Sequence, residues 1–192
     1  MVNPQKIFGR LGNSLFQLSY IYAQARDGII PDIFIQDPAY FDKYREEIKQ
    51  MFRPNPSLID MVAIHVRRAG NPINSNEPKY SDNPFYVNLF ETGYYERAMQ
   101  EFPDSDFLIF SDDIEWCKEQ SLFSGCEFSE GKTELEDMEL MASCKKIIIA
   151  NSSFGWWSAW LSNAKKIVAP SVENWYTDGK ERTVCPQDWT RI

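Results

Sequence analysis

The stretch KIIIANSSFGWWSAWLSNAKKIVA, residues 146–169, decides the fold of this chain. It starts with an apolar run at 146–150 and ends with a second one at 166–169. Between the runs lie a polar step and a tryptophan-rich segment, in which Trp156 and Trp160 share one helical face and are expected in the core. Short apolar runs separated by a helix predict a βαβ unit with two parallel strands that are buried on both faces.

The same alternation of apolar runs and helical patterns continues outward from this unit. Further strands are predicted at 61–66, at 106–110 and, weakly, at 126–129, and further helices at 93–102, 114–121 and 134–144. On the last of these helices, Leu135, Met138 and Met141 form one apolar face. We therefore predict an α/β fold, with a Rossmann-like parallel sheet and helices on both faces over residues 61–192.

Residues 1–60 are predicted to form a truncated N-terminal α/β part. Apolar residues recur there at helical spacing, at Leu15, Leu18, Tyr22 and Ala25. Gly9 and Gly12, together with Asn13, are expected to form a loop that feeds this helix. A short strand is expected at 29–36, followed by one helix and a connector.

Composition and charge exclude several classes of function. A net charge of −8 argues against a nucleic-acid partner, but it leaves room for one diphosphate held by local arginines. No apolar run reaches the ~18 residues that a membrane helix needs, and the N-terminus lacks the pattern of a secretory signal. The 4 cysteines show no CxxC spacing and there is 1 histidine, so we expect no zinc site and a reduced, cytoplasmic setting.

Three polar clusters lie at the C-terminal ends of three separate predicted strands. They are His65, Arg67 and Arg68, then Ser111, Asp112 and Asp113, then Asn151, Ser152 and Ser153. Ligands of open α/β sheets bind at this carboxyl edge, at a topological switch point. The occurrence of three clusters at one edge therefore predicts a ligand site there.

The residue types in two of these clusters suit a phosphate ligand. Arg67 and Arg68 point to opposite faces of their strand, so only one can reach a given ligand, and a guanidinium fork binds phosphate oxygens bidentately. Ser152 and Ser153 precede a helix whose N-terminus can cradle an anion. Each pair also has a structural alternative, which is a salt bridge for the arginines and helix capping for the serines.

The remaining cluster suits a guanine base. Asp112 or Asp113 could accept hydrogen bonds from the two adjacent donors on the Watson–Crick edge of guanine, or could instead cap the helix that follows. His65 fits a base contact and a packed strand end equally well. Residues 104–106 spell the DxD pattern of metal-dependent glycosyltransferases, but they precede a strand and are interpreted as a solvated turn.

Longer strings surround these residues. They are GRLGNSLFQ (9–17), HVRR (65–68), FSDD (110–113), EDMELMASC (136–144) and IIANSSFGWWSAWL (148–161). Together, and in this order, they resemble the α-1,2-fucosyltransferase family. The resemblance implies a GT-B-like arrangement, in which a C-terminal Rossmann-type domain holds GDP-fucose and neither a metal nor another cofactor is used. It also implies an inverting transfer of L-fucose from this GDP-sugar donor to a hydroxyl of a glycan acceptor.

The resemblance implies a role for each site residue as well. Arg67 would be the catalytic residue that holds the β-phosphate and stabilises the leaving GDP. His65 and an aspartate of the FSDD string would recognise guanine, and Ser152, Ser153 and Phe154 would line the phosphates. The glycine-containing loop would approach the donor from the N-terminal part. The predicted substrate-binding residues are Gly9, Gly12, Asn13, His65, Arg68, Asp112, Asp113, Asn151, Ser152, Ser153 and Phe154.

The chain departs from the family pattern on the acceptor side. The family's HxRRGD reads HVRRAG at 65–70, and the segment before this motif is short. Glu77, Asp82 and Glu91 are candidates for a catalytic base in the irregular loop that follows. Two alternatives stay open: a degenerate GDP-sugar-binding protein without transfer, and a transferase for another GDP-sugar such as GDP-mannose. A reduced N-terminal part could also expose an apolar face that favours a homo-oligomer.

Overall fold

A parallel β-sheet organises the residues that the computed structural model describes, which are 11–27, 36–52, 58–68 and 79–192. Its strands are β1 (Ile59–Val66), β2 (Phe107–Ser111), β3 (Glu127–Phe128), β4 (Cys144–Ile148), β5 (Lys166–Ala169) and β6 (Thr190–Arg191). They lie in the order β3-β2-β1-β4-β5-β6, and every neighbouring pair is parallel. This is the doubly wound order, in which the direction of the connections reverses between β1 and β4. The predicted Rossmann-like α/β fold is confirmed.

Six helices of the described residues cover the sheet. They are α1 (Leu11–Asp27), α2 (Arg45–Phe52), α3 (Tyr94–Gln100), α4 (Ile114–Lys118), α5 (Glu134–Ser143) and α6 (Ser153–Leu161). Each predicted helix is present, but the predicted loop at Gly12 and Asn13 is wrong, because both residues lie in the first turn of α1. The predicted apolar face of α5 is wrong at one position: Met138 and Met141 are buried, whereas Leu135 is 62% exposed.

Two parts of the sequence-based prediction concern the edges of the described structure. The strand expected at 29–36 lies outside the described residues except for Gln36, which forms a parallel bridge with Thr183. The short strand β6 was not predicted, since two residues carry no readable alternation.

The DxD sequence at 104–106 precedes β2, at the sheet edge opposite the carboxyl ends, and Asp104 has a φ of 57°. Its interpretation as a turn is confirmed.

Hydrophobic cores lie on both faces of the sheet because successive strand residues alternate. On one face, Ile64 and Val66 of β1 pack with α3 and α4. On the other face, Ala63 of β1 and Ile147 of β4 pack with α1, α2, α5 and α6. The same alternation decides which residues at the strand ends share a face.

The helix α6 is the centre of the second core. Trp156, Trp157 and Trp160 are all buried, as predicted, and α6 is apolar around its whole circumference. Phe16 of α1 packs against Trp156 and Trp157, with ring centroids 4.7 and 5.0 Å away, and Phe41 stacks on Trp157 at 5.5 Å. These contacts hold α1 along α6 and bring the N-terminal ends of the two helices together.

Three further features of the described residues are the state of the cysteine thiols, the lengths of the helices and the placement of possible metal ligands. All four cysteines are free thiols. Burial raises the pKa of Cys117 to about 11 and that of Cys185 to about 12, so both are protonated and poor nucleophiles at neutral pH. Across the described ranges, no helix is both long and apolar enough to cross a membrane. Within the same ranges, no group of three or more His, Cys, Asp or Glu side chains is placed to hold a metal ion.

Candidate functional site

A cavity of about 550 Å³ opens at the carboxyl edge of the sheet, where β1 and β4 lie side by side. Residues of all three predicted clusters line it. The predicted site residues in this lining are Gly12, Asn13, His65, Arg67, Asp112, Asn151, Ser152, Ser153 and Phe154. The sequence-based site therefore assembles at the switch point, with the exceptions given below.

Arg67 enters the cavity from the end of β1. Its guanidinium forms an ion pair with the carboxylate of Asp112, and its side chain is 13% exposed. The guanidinium carbon lies 5.1 Å from the centre of the Tyr80 ring. The second carboxylate oxygen of Asp112 accepts the backbone N–H of Arg68 at 2.9 Å. Asp112 thus joins the ends of β1 and β2 and fixes the position of Arg67.

Arg68 and Asp113, both predicted to bind substrate, do not line this cavity. The Arg68 guanidinium lies 3.5 Å from the centre of the Trp116 ring of α4, and its Nε is 3.7 Å from the Asp113 carboxylate. Because β1 is pleated, Arg68 faces the α4 side of the sheet while Arg67 faces the α6 side. Their surroundings are those of a structural pair.

Two helix N-termini converge on the cavity. Ser152 caps α6, where its hydroxyl accepts the N–H of Phe154 at 3.4 Å. The Ser153 hydroxyl donates to the side-chain oxygen of Asn13 in the first turn of α1, at 2.9 Å. A Cβ on Gly12 would lie 2.6 Å from the Ser153 carbonyl carbon, so only glycine permits this approach. Gly9 lies outside the described residues.

The partial positive charges of the two N-termini therefore point at one region. Helix N-termini favour anions because their first N–H groups lack intrahelical partners and their dipoles add to the local potential. The guanidinium of Arg67, paired with Asp112, lines the same cavity. The arrangement suits a ligand with two or more negative charges.

His65 is both packed and in contact with the cavity. Its side chain is 5% exposed, its backbone carbonyl accepts the Tyr95 hydroxyl at 3.2 Å, and its ring lies 5.2 Å from the Phe154 ring. A Cβ on Gly155 would come within 2.7 Å of His65 Nδ1. The glycine in the first turn of α6 therefore leaves room for the imidazole at the cavity wall.

Asn151 is used mainly to hold other segments in place. Its amide nitrogen lies 2.9, 3.2 and 3.1 Å from the carbonyl oxygens of Val87, Asn174 and Trp175. Its own backbone carbonyl accepts the hydroxyl of Tyr80. The side chain that was predicted to bind substrate thus ties two irregular segments to the end of β4.

Sequence reasoning missed the cavity residues at the start of α5. Lys132, Glu134 and Asp137 line the cavity there. Asp137 is half-buried and accepts the Ser129 hydroxyl at 2.6 Å. Burial raises the pKa of Asp137, and the hydrogen bond from Ser129 opposes this rise. A sequence signal existed, because Thr133 and Glu136 form a capping box immediately after a predicted strand.

An aromatic wall, which we define as Tyr80, Tyr86 and Tyr176, was also missed. The rings of Tyr80 and Tyr86 stack at 4.0 Å, and the rings of Tyr86 and Tyr176 lie 5.7 Å apart. These residues belong to segments outside the α-helices and strands, where no periodicity marks them. Tyr176 lies in the tail string NWY (174–176), which also resembles the family but carried no assignment to the site. Of the predicted base candidates, Asp82 and Glu91 are exposed and do not line this cavity, and Glu77 lies outside the described residues.

A doubly wound sheet with a cavity at its switch point defines an α/β protein of the class whose ligands bind at the carboxyl edge of the sheet. Residues 39–192 match the family model described as Glycosyl transferase family 11, and the chain belongs to this family. The family assignment confirms the resemblance to fucosyltransferases that the sequence strings carry.

Two curated relatives from Escherichia coli extend this comparison. An alpha-1,2-colitosyltransferase is 32% identical over 178 residues, which cover 83% of this chain and 61% of the relative. The O-antigen biosynthesis glycosyltransferase WbnK is 24% identical over 194 residues, which cover 88% of this chain and 62% of the relative. The chain thus spans less than two thirds of the length of these relatives. No solved structure matches the chain.

Proposed function

We propose that this chain transfers a deoxyhexose, with L-fucose as the first candidate, from a GDP-sugar to a hydroxyl of a glycan acceptor. The observation that carries the proposal is the convergence of Arg67 with the N-termini of α1 and α6 on one cavity at the switch point. Membership of Glycosyl transferase family 11 supports it. One relative is named for the transfer of colitose, which like fucose is a deoxy sugar.

The diphosphate of the donor is proposed to lie between Arg67 and the two helix N-termini. The guanidinium presents its N–H donors in a planar fork, a geometry that binds phosphate oxygens bidentately, and Asp112 fixes its position at the cavity. During transfer, the acceptor oxygen forms a bond to the anomeric carbon as the bond to the β-phosphate breaks. Negative charge then grows on the leaving diphosphate, where Arg67 stabilises it. This local positive charge provides the stabilisation without a metal ion.

Guanine is proposed to lie on the other side of Arg67, towards α5. Both oxygens of Asp112 already accept hydrogen bonds or ion pairs from β1, through Arg67 and the backbone of Arg68. Asp137 also lines the cavity, and one of its carboxylate oxygens accepts the Ser129 hydroxyl. We therefore assign to Asp137, rather than to the FSDD aspartates, the carboxylate that pairs with the two guanine donors. His65 lies at the wall between this carboxylate and the phosphates.

A second candidate function is donor binding without transfer. The family's acidic residue after the two arginines is replaced, since residues 69 and 70 are alanine and glycine. Asp82 and Glu91 are exposed away from the cavity lining, so neither supplies a base from its described position. This reading keeps the same nucleotide site and changes only the chemistry that follows binding.

One assay separates these functions. The protein is incubated with GDP-fucose, GDP-mannose or GDP-activated colitose, with and without a panel of sugar acceptors, and free sugar and elongated product are separated by chromatography. The proposal predicts an elongated product from a deoxyhexose donor and little from GDP-mannose. Product from GDP-mannose alone would assign a different donor, and GDP binding without any product would assign the binding function.

A further inference from the structure

We propose that the part of the cavity bordered by the aromatic wall is the subsite for the acceptor, and that it takes a pyranose ring stacked on tyrosine. The inference rests on the proposed function and adds to it the place and the chemistry of acceptor binding. It is carried by two features of the same cavity wall, the stacked tyrosines and a continuous track of polar side chains.

The aromatic wall has the form of a sugar platform. Tyr80 and Tyr86 stack at 4.0 Å with an angle of 21° between their planes, and Tyr176 continues the surface 5.7 Å from Tyr86. Pyranoses present a patch of C–H groups on one ring face, which packs on the electron-rich face of an aromatic ring. An adenine or guanine base would also stack there, but the polar groups nearby match hydroxyls better.

A track of hydrogen bonds runs from the aromatic wall to the N-terminus of α6. The Tyr176 hydroxyl lies 3.0 Å from the Thr183 hydroxyl, which donates to the Gln36 carbonyl oxygen at 3.0 Å. The Gln36 amide donates to the Asn13 oxygen at 3.0 Å, and Ser153 donates to the same oxygen at 2.9 Å. All five side chains line the cavity.

This polar track suits an acceptor sugar because the side chains of Gln36, Asn13 and Ser153 can exchange hydrogen bonds with sugar hydroxyls. The buried Thr183 hydroxyl, 1% exposed as a residue, holds Tyr176 and Gln36 in position. The position of the track is equally important. The track ends at Ser153, beside the proposed diphosphate, so a sugar on the wall would present a hydroxyl next to the anomeric carbon of the donor. Adjacent placement of two reactants is what a transferase must provide.

The opposite end of the cavity is taken by the donor. Lys132 and Asp137, proposed for the nucleotide, follow β3 at one side of the sheet, whereas Tyr176 and Thr183 follow β5 at the other. Arg67, at the end of the central strand β1, lies between them in the strand order. Donor and acceptor can therefore occupy opposite sides of the cavity and meet at Asn13 and Ser153, where the polar track reaches the proposed diphosphate.

The wall is also held rigidly enough to act as a platform. Asn151 binds the carbonyl groups of Val87 and Trp175, which directly follow and precede Tyr86 and Tyr176 in the chain. The hydroxyl of Tyr80 donates to the backbone of Asn151, and Tyr86 pairs with Tyr176 in an antiparallel bridge. Asn151 is thus a positioning residue for the acceptor side.

The experiment uses saturation-transfer NMR with the full chain and saturating GDP. The probes are the methyl glycosides of galactose, glucose, N-acetylglucosamine and N-acetylgalactosamine. The variants are Tyr86→Leu, which removes a ring of the wall, and Thr183→Val, which removes a hydroxyl of the polar track at equal size. The control is Phe85→Leu, because the Phe85 ring packs 5.1 Å from the rings of Tyr86 and Tyr176 but does not line the cavity. This variant reports whether a loss of aromatic packing outside the cavity is enough to change sugar binding.

We expect at least one methyl glycoside to bind the wild-type protein while GDP is bound. Its affinity should fall by about threefold to tenfold in Tyr86→Leu and Thr183→Val and should stay unchanged in Phe85→Leu. GDP affinity, measured by calorimetry, should be the same in all four proteins. Thermal unfolding shows whether each variant is folded. If Tyr86→Leu does not fold, the sugar affinity of Thr183→Val tests the inference.

The inference is overturned if none of the probes binds beside GDP, if GDP displaces the bound sugar, or if folded Tyr86→Leu and Thr183→Val keep wild-type sugar affinity. Failure of the proposed function looks different, because then the wild-type protein does not bind GDP at all. In that case the sugar titration without GDP still decides whether the wall binds a pyranose.

Discussion

Arg67 and Arg68 are neighbours in the sequence, yet their guanidinium groups have separate environments. Arg67 lies in the cavity with Asp112, and Arg68 lies on the α4 side of the sheet over the Trp116 ring, 3.5 Å from its centre. The strand pleat causes this separation. A pair of alanine substitutions therefore probes the site and the scaffold independently, at adjacent positions.

Substitution of Arg67 should weaken nucleotide binding more than folding. Arg67→Ala removes one or two charge-assisted hydrogen bonds to the diphosphate, each worth about 1.5–3 kcal/mol. GDP affinity should fall by roughly tenfold to several hundredfold at ~1.4 kcal/mol per factor of ten. Transfer should fall at least as much, because charge on the leaving group grows in the transition state. Isothermal titration with GDP and a rate assay measure both effects.

Arg68→Ala is the matched control. It removes the contact with Trp116, so we expect a loss of about 1 kcal/mol in the free energy of unfolding and little change in GDP affinity. Wild-type GDP affinity in Arg67→Ala, combined with a lowered melting temperature, would make Arg67 a scaffold residue and refute its place in the site.

Asp137 offers a test in which stability and binding should move in opposite directions. Burial raises the pKa of this carboxyl, so its ionised form is disfavoured in the folded protein at neutral pH. Asp137→Asn removes that charge and can keep a hydrogen bond to Ser129. The variant should melt at the same or a slightly higher temperature at pH 7, yet its GDP affinity should fall by about tenfold or more.

The pH dependence of this difference has a definite sign. A carboxyl with a raised pKa lowers stability when ionised, and this effect disappears as the pH falls through the raised folded value towards the ordinary value of the unfolded chain. The melting-temperature advantage of Asp137→Asn should therefore be largest at neutral pH and shrink in that acidic window. Unchanged GDP affinity in the variant would remove Asp137 from the guanine site.

At the scale of elements, the contact between α1 and α6 shapes the cavity. Gly12 sits where a Cβ would lie 2.6 Å from the Ser153 carbonyl carbon and 2.7 Å from the Phe154 nitrogen. Both atoms belong to the backbone, so neither can turn away. Helix propensity alone would make Gly12→Ala stabilising by about 1 kcal/mol. Overpacking costs about 1–3 kcal/mol and should win.

We therefore expect Gly12→Ala to lower both the free energy of unfolding in urea and the affinity for GDP, since α1 must move away from α6. Leu18→Ala is the control on the same helix, because Leu18 is 39% exposed and its loss should change stability by no more than about 0.5 kcal/mol. A Gly12→Ala protein that is more stable than wild type and binds GDP normally would show that the close approach has no role.

The elements themselves could largely be predicted from the sequence, but their orientation could not. Apolar runs located β1, β2, β4 and β5 because parallel strands are buried on both faces. The predicted stripe of α1 included Leu18, which is exposed, whereas Phe16 and Tyr20 are buried. Packing of Phe16 on the tryptophans of α6 sets the rotation of α1. Such a contact between distant segments leaves no trace in local periodicity.

At the scale of the whole molecule, an acidic chain brings Arg67, Lys132 and two helix N-termini to one cavity, beside the carboxylates of Asp112, Glu134 and Asp137. The net charge is −8, yet Arg67 and two helix N-termini meet at one point of the sheet edge. Screening over about 8–10 Å separates the distant surface charges from this region at physiological salt. Global charge therefore excludes a polyanion partner more strongly than it excludes a single nucleotide sugar.

Sequence reasoning could place only part of the site at this scale. His65, Arg67 and Ser153 were found because they follow buried strands, and parallel strands bring their carboxyl ends to one edge. Tyr86 and Thr183 were not found, because they reach the cavity through irregular segments fixed by Asn151 and by the bridge to Gln36. The residues of the proposed donor side thus follow from strand order, while those of the proposed acceptor side depend on tertiary contacts.

The central claim is that the switch-point cavity binds a guanosine diphosphate through Arg67, Asp137 and the two helix N-termini. The most direct measurement is isothermal titration of the protein with GDP, UDP and ADP, each with and without EDTA. We predict measurable binding of GDP alone, with an affinity that EDTA leaves unchanged. Equal affinity for the three nucleotides would contradict the guanine assignment, a large loss of GDP binding with EDTA would contradict the metal-free site, and absence of GDP binding would refute the account as a whole.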